Sequence, residues 1–226
     1  FNILGTSMTS ARTSMIDGQL RTNKVKDLAV LDALAATPRE NFVPEAYKGI
    51  AYVDEDLKIS DSRHLMEPMV LARLLEAAAV TQADNALVIG CASGYSAAVL
   101  AQICSAVTGV DSDAGLLELA TAQATEMELF GASFTQAELG QSDGLAGPFT
   151  MALFDGAVRD AMAAADAYSS AMSADARLLV VERSNPMVPG QALLLTKAGD
   201  GWSKRILFDA SLPILPEYKI EKGFEF

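Results

Sequence analysis

The segment Leu87-Val88-Ile89-Gly90-Cys91-Ala92-Ser93-Gly94-Tyr95 reads as a strand that runs into a glycine turn and then a helix. Gly90 permits a tight turn and close approach of a ligand, and Gly94 lets the helix start pack closely with its N–H groups facing whatever binds. Twenty-one positions after Gly90 the next apolar run ends in Val110-Asp111, where a carboxylate can accept two hydrogen bonds from ribose hydroxyls. On the glycines alone a plain strand-to-helix turn is an equal reading, and the Asp111 spacing favours the ligand. The middle glycine of a dinucleotide fingerprint is absent, because the run is Gly-Cys-Ala-Ser-Gly. That argues against a pyrophosphate site and so against a nicotinamide-dependent oxidoreductase. Asp143 and Gly144 follow a third expected strand, Phe134 to Ala137. Asp143 could bind an adenine amino group or simply form an Asp-Gly turn. Asp155, after the run Met151 to Phe154, sits where such sheets place residues that face the substrate, with a strand-end turn as the alternative.

The elements that must position these residues follow from periodicity. Leu28, Leu31 and Leu34 mark a helix that Pro38 stops, and Val70, Leu71, Leu74, Leu75 and Ala78 mark one face of a helix opening at Pro68. Short apolar runs at Ala86 to Ile89, Ala106 to Val110, Met151 to Phe154 and Leu178 to Val181 alternate with alanine-rich helical stretches. That alternation predicts βαβ units and a parallel sheet. Gln191 to Lys197 and Trp202 to Phe208, joined by Gly-Asp-Gly, predict a closing hairpin. Residues 8–226 are read as a single domain, with a helical cap over 8–80 and a ligand-binding sheet over 81–226. Residues 1–7 are read as a remnant or trimmed stretch ahead of Met8.

The chain of 226 residues is half apolar and a fifth charged, enough to bury a core and far from the composition of disordered chains. Its net charge of −12 repels phosphate backbones and anionic headgroups, so nucleic acid and membrane are poor partners. Cys91 and Cys104 make neither a disulfide framework nor a zinc cluster, no metal is expected, and a reducing cytoplasm suits them. No apolar run reaches membrane-spanning length.

Several stretches then resemble the protein-L-isoaspartate O-methyltransferase family. Met15-Ile16-Asp17-Gly18-Gln19-Leu20, Pro38-Arg39-Glu40-Asn41-Phe42-Val43-Pro44 and Ala51-Tyr52-Val53-Asp54-Glu55-Asp56-Leu57 are similar to its N-terminal signature. Ser93-Gly94-Tyr95-Ser96-Ala97-Ala98-Val99-Leu100-Ala101 resembles its cofactor motif, Pro148-Phe149 its next motif, and Leu212-Pro213-Ile214-Leu215-Pro216 its C-terminal end. The resemblance implies a Rossmann-like class I α/β fold of seven strands, mostly parallel, with an antiparallel C-terminal hairpin and a helical N-terminal extension. It implies S-adenosylmethionine as cofactor and S-adenosylhomocysteine as product. It also implies methyl transfer to damaged aspartyl carboxylates in a protein or peptide. The cofactor set it implies is Gly90, Cys91, Ala92, Ser93, Gly94, Tyr95, Asp111 and Ser112, with Asp143, Gly144 and Asp155.

Two departures stand out against that pattern. Ser62-Arg63-His64-Leu65-Met66-Glu67-Pro68 lies where the family usually has Gly-Gln-Thr-Ile-Ser-Gln-Pro, so His64 and Met66 replace a threonine and a serine. Val88 stands where the family commonly has an acidic residue. A carboxylate acceptor is already ionised near neutral pH, so no general base or catalytic triad is required, and Cys91 without a partner histidine reads as a packing residue. In a chain of this charge an anionic acceptor needs a local cation. Arg63 with His64, next to Met66, is therefore the expected acceptor segment. The alternatives are a regulatory protein that keeps the cofactor fold without isoaspartyl chemistry, and a methyltransferase for another small acceptor.

Overall fold

The structure is a computed structural model that describes residues 3–185 and 187–219. Its centre is a seven-stranded sheet built from β3 (Asn85–Ile89), β4 (Ala106–Asp111), β5 (Ala132–Gln136), β6 (Phe149–Val158), β7 (Met172–Glu182), β8 (Gly190–Ala198) and β9 (Gly201–Ala210). The strand order is β5-β4-β3-β6-β7-β8-β9. Pairing is parallel from β5 through β7, and β8 and β9 return antiparallel. The central strands are continuous apolar runs because helices cover both faces, and β3 is buried over Ala86–Ile89. This is the expected sheet. The expected hairpin forms with longer strands, and the third strand lies two residues earlier than expected, at 132–136.

Each turn into a helix carries its own chemistry. Asp27, Asp113 and Asp160 cap α2 (Leu28–Ala36), α5 (Ala114–Glu126) and α6 (Ala161–Asp166) through side-chain oxygens that accept N–H groups of the first turn. Pro68 opens α3 (Pro68–Ala78). Ahead of α3, Asp56 accepts the Glu67 N–H and Asp54 the Met69 N–H, so two acidic side chains of the preceding loop fix where that helix begins.

Two local structures lay outside the periodicity argument. Met15–Leu20 is one π-helical turn that continues α1 (Ile3–Ser14). Because α1 begins at Ile3, residues 3–7 form part of that helix. Leu57–Lys58 (β1) and His64–Leu65 (β2) form a small antiparallel ribbon with Leu57 opposite Leu65. Two-residue strands leave no alternation to detect.

The ends of the parallel strands meet at a switch point. β3 has β4 on one side and β6 on the other, so its C-terminal end faces the crevice in which open α/β sheets take ligands. Gly94, at the entry to α4 (Tyr95–Ala101), has a φ of +90°. A Cβ there would lie 2.7 Å from the Ala120 Cβ on α5. Gly94→Ala is therefore expected to cost about 1–3 kcal/mol, read as a lowered urea midpoint.

Candidate active site

The turn after β3, Asp111 and Asp155 lie along that crevice, and most polar groups of the turn and of Asp111 are already engaged within the chain. In the turn after β3, the N–H groups of Gly90 and Cys91 both donate to the Val110 carbonyl, at 2.9 and 3.1 Å, and the Gly94 N–H donates to the Cys91 carbonyl. Ala92, at φ +51°, aims its N–H at Asp111 Oδ2, 2.9 Å away. Ser93 donates its hydroxyl to the Phe42 carbonyl at 2.7 Å, tying the turn to the N-terminal cap. Cys91 is fully buried, and burial, followed by the nearby Asp111 and Asp155 charges, raises its thiol pKa well above the usual value. It is a packing residue. Tyr95 packs edge-on against Phe42 with the Arg39 guanidinium over its ring, 4.9 Å from the centroid.

Asp111 ends β4 at the expected place, wholly buried, and each of its oxygens has two partners. Oδ2 accepts Arg63 Nε at 2.9 Å and the Ala92 N–H; Oδ1 accepts Arg63 Nε at 3.1 Å and the Asp113 N–H at 3.0 Å. Arg63 arrives from the turn of the ribbon, where Ser60 Oγ accepts the Ser62 and Arg63 N–H groups. The rest of its guanidinium donates to Glu217 Oε1 at 2.7 Å, to Ser112 Oγ at 3.1 Å and to the Ser62 carbonyl at 3.2 Å. Ser112 in turn donates to Glu217. Burial works against the charge, but hydrogen bonds to Asp111 and Glu217 outweigh it and hold the Arg63 pKa above its ordinary value.

This corrects the expected role of Arg63. Its side chain is 1% exposed and has no fork left for an acceptor carboxylate. A buried guanidinium must be paired where it sits, and Asp111 and Glu217 are the carboxylates that pair it. His64, half-buried, has its pKa lowered by burial and then by Lys58 and Lys219, so it is neutral at pH 7 and supplies no acceptor cation either. Met66 is buried in the core.

Asp143 and Gly144 lie exposed in the loop between β5 and β6. The nearby residue that reaches Gly90 is Leu139, whose Cδ1 is 3.5 Å from a Cβ placed there. Asp155, by contrast, lines a small cavity with Asp56, Ser62, His64, Met66 and Leu215. It is 4% exposed, and its Oδ1 has no hydrogen-bond partner among the described residues. Burial raises its pKa to about 7 against the pull of Ser96 and Arg39, and Asp111 and Asp56 add to the rise. Burial likewise raises Asp56 to about 6, and raises Glu67 to about 7 with help from Asp56 and Asp54. The cavity thus holds two carboxyl groups, Asp56 and Asp155, whose charged forms burial disfavours.

Sequence reasoning passed over Leu215 and Glu217. Both follow β9 in a segment that pairs with the far end of β6: the Ala157 N–H donates to the Pro213 carbonyl and the Leu215 N–H to the Ala157 carbonyl, each at 2.9 Å. The Leu215 side chain would touch a Cβ on Gly90 at 3.0 Å and one on Gly156 at 2.8 Å. Only the Leu-Pro-Ile-Leu-Pro run hinted at them.

A model of the protein-L-isoaspartate(D-aspartate) O-methyltransferase family matches residues 10–171, from the cap to the residue before β7. The chain belongs to this family. A protein-L-isoaspartate O-methyltransferase of Bordetella parapertussis is 34% identical over 208 residues, which cover 90% of this chain and 77% of that protein. The one from Methylorubrum extorquens is 40% identical over 119 residues, so the aligned stretch spans about half of each, 53% and 52%. A structure described as this methyltransferase from Plasmodium falciparum, bound to S-adenosyl-L-homocysteine, superposes with a TM-score of 0.75. At 15% identity, over 91% of this chain and 98% of that one, it shows the shared class I methyltransferase fold. Among the described residues of this isoaspartyl methyltransferase-family chain, no helix is long and apolar enough to cross a membrane, and no cluster of His, Cys, Asp and Glu could hold a metal.

Two outcomes follow from this geometry. Arg63→Ala leaves Asp111 buried without its cation and is expected to lower stability by about 3–5 kcal/mol, read by chemical unfolding. Asp155 binds its proton up to about pH 7 when folded, whereas the ordinary carboxyl value is 3.8. The folded state therefore holds more protons between those values, and stability falls as pH rises through the window. Asp155→Asn is expected to flatten that fall between pH 5 and 8.

Proposed function

We propose that this chain is an S-adenosylmethionine-dependent carboxyl O-methyltransferase acting on isoaspartyl residues of proteins. The observation that carries the reading is family membership together with Gly90, Gly94 and Asp111 at the switch point of the sheet. A bare-backbone turn beside a carboxylate suits a nucleoside. The homocysteine-bound relative from Plasmodium falciparum supports the same cofactor class. A cytoplasmic setting accords with the two buried free cysteines.

In the arrangement described above the glycine turn and its carboxylate are both covered by the chain itself. Leu215 lies against Gly90 and Gly156, and Asp111 spends both oxygens on Arg63 and backbone N–H groups. When bound, the cofactor supplies a methyl group on a sulfonium sulfur. The chain's own part is to receive and orient the acceptor. An ionised carboxylate needs no base to attack, and an Asp155 carboxyl held neutral by burial repels it less than a charged one would. A carboxyl kept neutral by burial can also donate a hydrogen bond, here from Asp155 toward an acceptor oxygen.

A second reading, a family member that has given up methyl transfer, draws support from Arg63, His64 and Met66 in the segment where the family usually carries hydroxyls. Incubation with methyl-labelled S-adenosylmethionine and an isoaspartyl peptide separates the two. The catalytic reading expects base-labile label on the isoaspartyl peptide and none on its aspartyl counterpart. No label on either peptide overturns it.

A further inference from the structure

The chain closes its own ligand crevice. Leu212 and Leu215 of the segment after β9 are buried, at 1% and 4% exposure, and three groups hold the segment down. Its backbone pairs with Ala157. Tyr218 sets its ring edge-on to Phe154, with centroids 5.6 Å apart. Glu217 takes the outward half of the Arg63 guanidinium, whose inward half is on Asp111. The same strip therefore both covers Gly90, the backbone a nucleoside would approach, and engages through Arg63 the carboxylate its ribose would need.

We propose that Leu212–Tyr218 is a latch, locked by the Glu217–Arg63–Asp111 ion cluster, that occupies the cofactor's position and must lift before the cofactor enters. The proposal rests on the cofactor reading above. The locking pair is a side-chain contact between residues 154 positions apart, so it closes only when ribbon and tail are both docked. Displacing Leu215 uncovers Gly90 and Gly156 together. Releasing Glu217 unties the segment from Arg63 and leaves Asp111 as the guanidinium's one charged partner.

The test compares wild-type protein, Glu217→Gln and the Leu215→Ala/Glu217→Gln double variant. Each is titrated with S-adenosylhomocysteine by calorimetry and followed by amide hydrogen exchange at Ala157 and Leu215. Glu217→Gln keeps the side chain's shape and serves if the double variant folds poorly. The latch expects wild-type binding at least about tenfold weaker than that of the variants, with amides protected in wild type and released in the variants. Equal binding by wild type and variants overturns the latch and leaves the cofactor reading standing. Amides released in the variants without binding by any form overturn the cofactor reading, and with it the latch's role as a gate.

Discussion

Arg63 is a fully buried cation placed between two carboxylates, and the arrangement around the crevice depends on it. Taking such a group from water costs several kcal/mol, which is offset only when most of its N–H groups find acceptors. Here they find Asp111, Glu217, Ser112 and the Ser62 carbonyl. Those acceptors belong to the end of β4, the C-terminal tail and the ribbon. One side chain therefore ties three distant stretches to the same point, and removing an acceptor leaves buried N–H groups of Arg63 without a partner.

That constraint reorganises the site's electrostatics. With Asp111 paired to Arg63, Asp56 and Asp155 line the small cavity and Glu67, whose N–H Asp56 accepts, adjoins it, while the Arg39 guanidinium lies over the Tyr95 ring. Burial keeps them protonated toward neutral pH. The chain's charge of −12 is carried largely outside this pocket, so the interior is less hostile to an anionic acceptor than composition alone suggests. Arg63 is the linchpin of closure, whereas its sequence position had marked it for acceptor binding.

The sheet was legible because buried parallel strands are continuous apolar runs and their turns carry Gly90, Gly94 and Asp111 at fixed offsets. α2 and α3 were legible from threefold and fourfold spacing bounded by Pro38 and Pro68. The ribbon was not, since two-residue strands have no period. Nor was the tail, because Leu215 and Glu217 act through contacts with residues far along the chain, and no local pattern records a partner of that kind. Asp143 misled for a related reason: an Asp-Gly pair after a strand reads alike whether it faces a ligand or, as here, solvent.

The central claim is that Arg63 and Glu217 are coupled in the folded chain. A double-mutant cycle, with Arg63→Ala, Glu217→Ala and both together measured by urea unfolding, reads that coupling directly. The account predicts an interaction of about 1–3 kcal/mol between the two sites. Stability losses that add to within about 0.5 kcal/mol would show that the tail is not held by Arg63 and would contradict it.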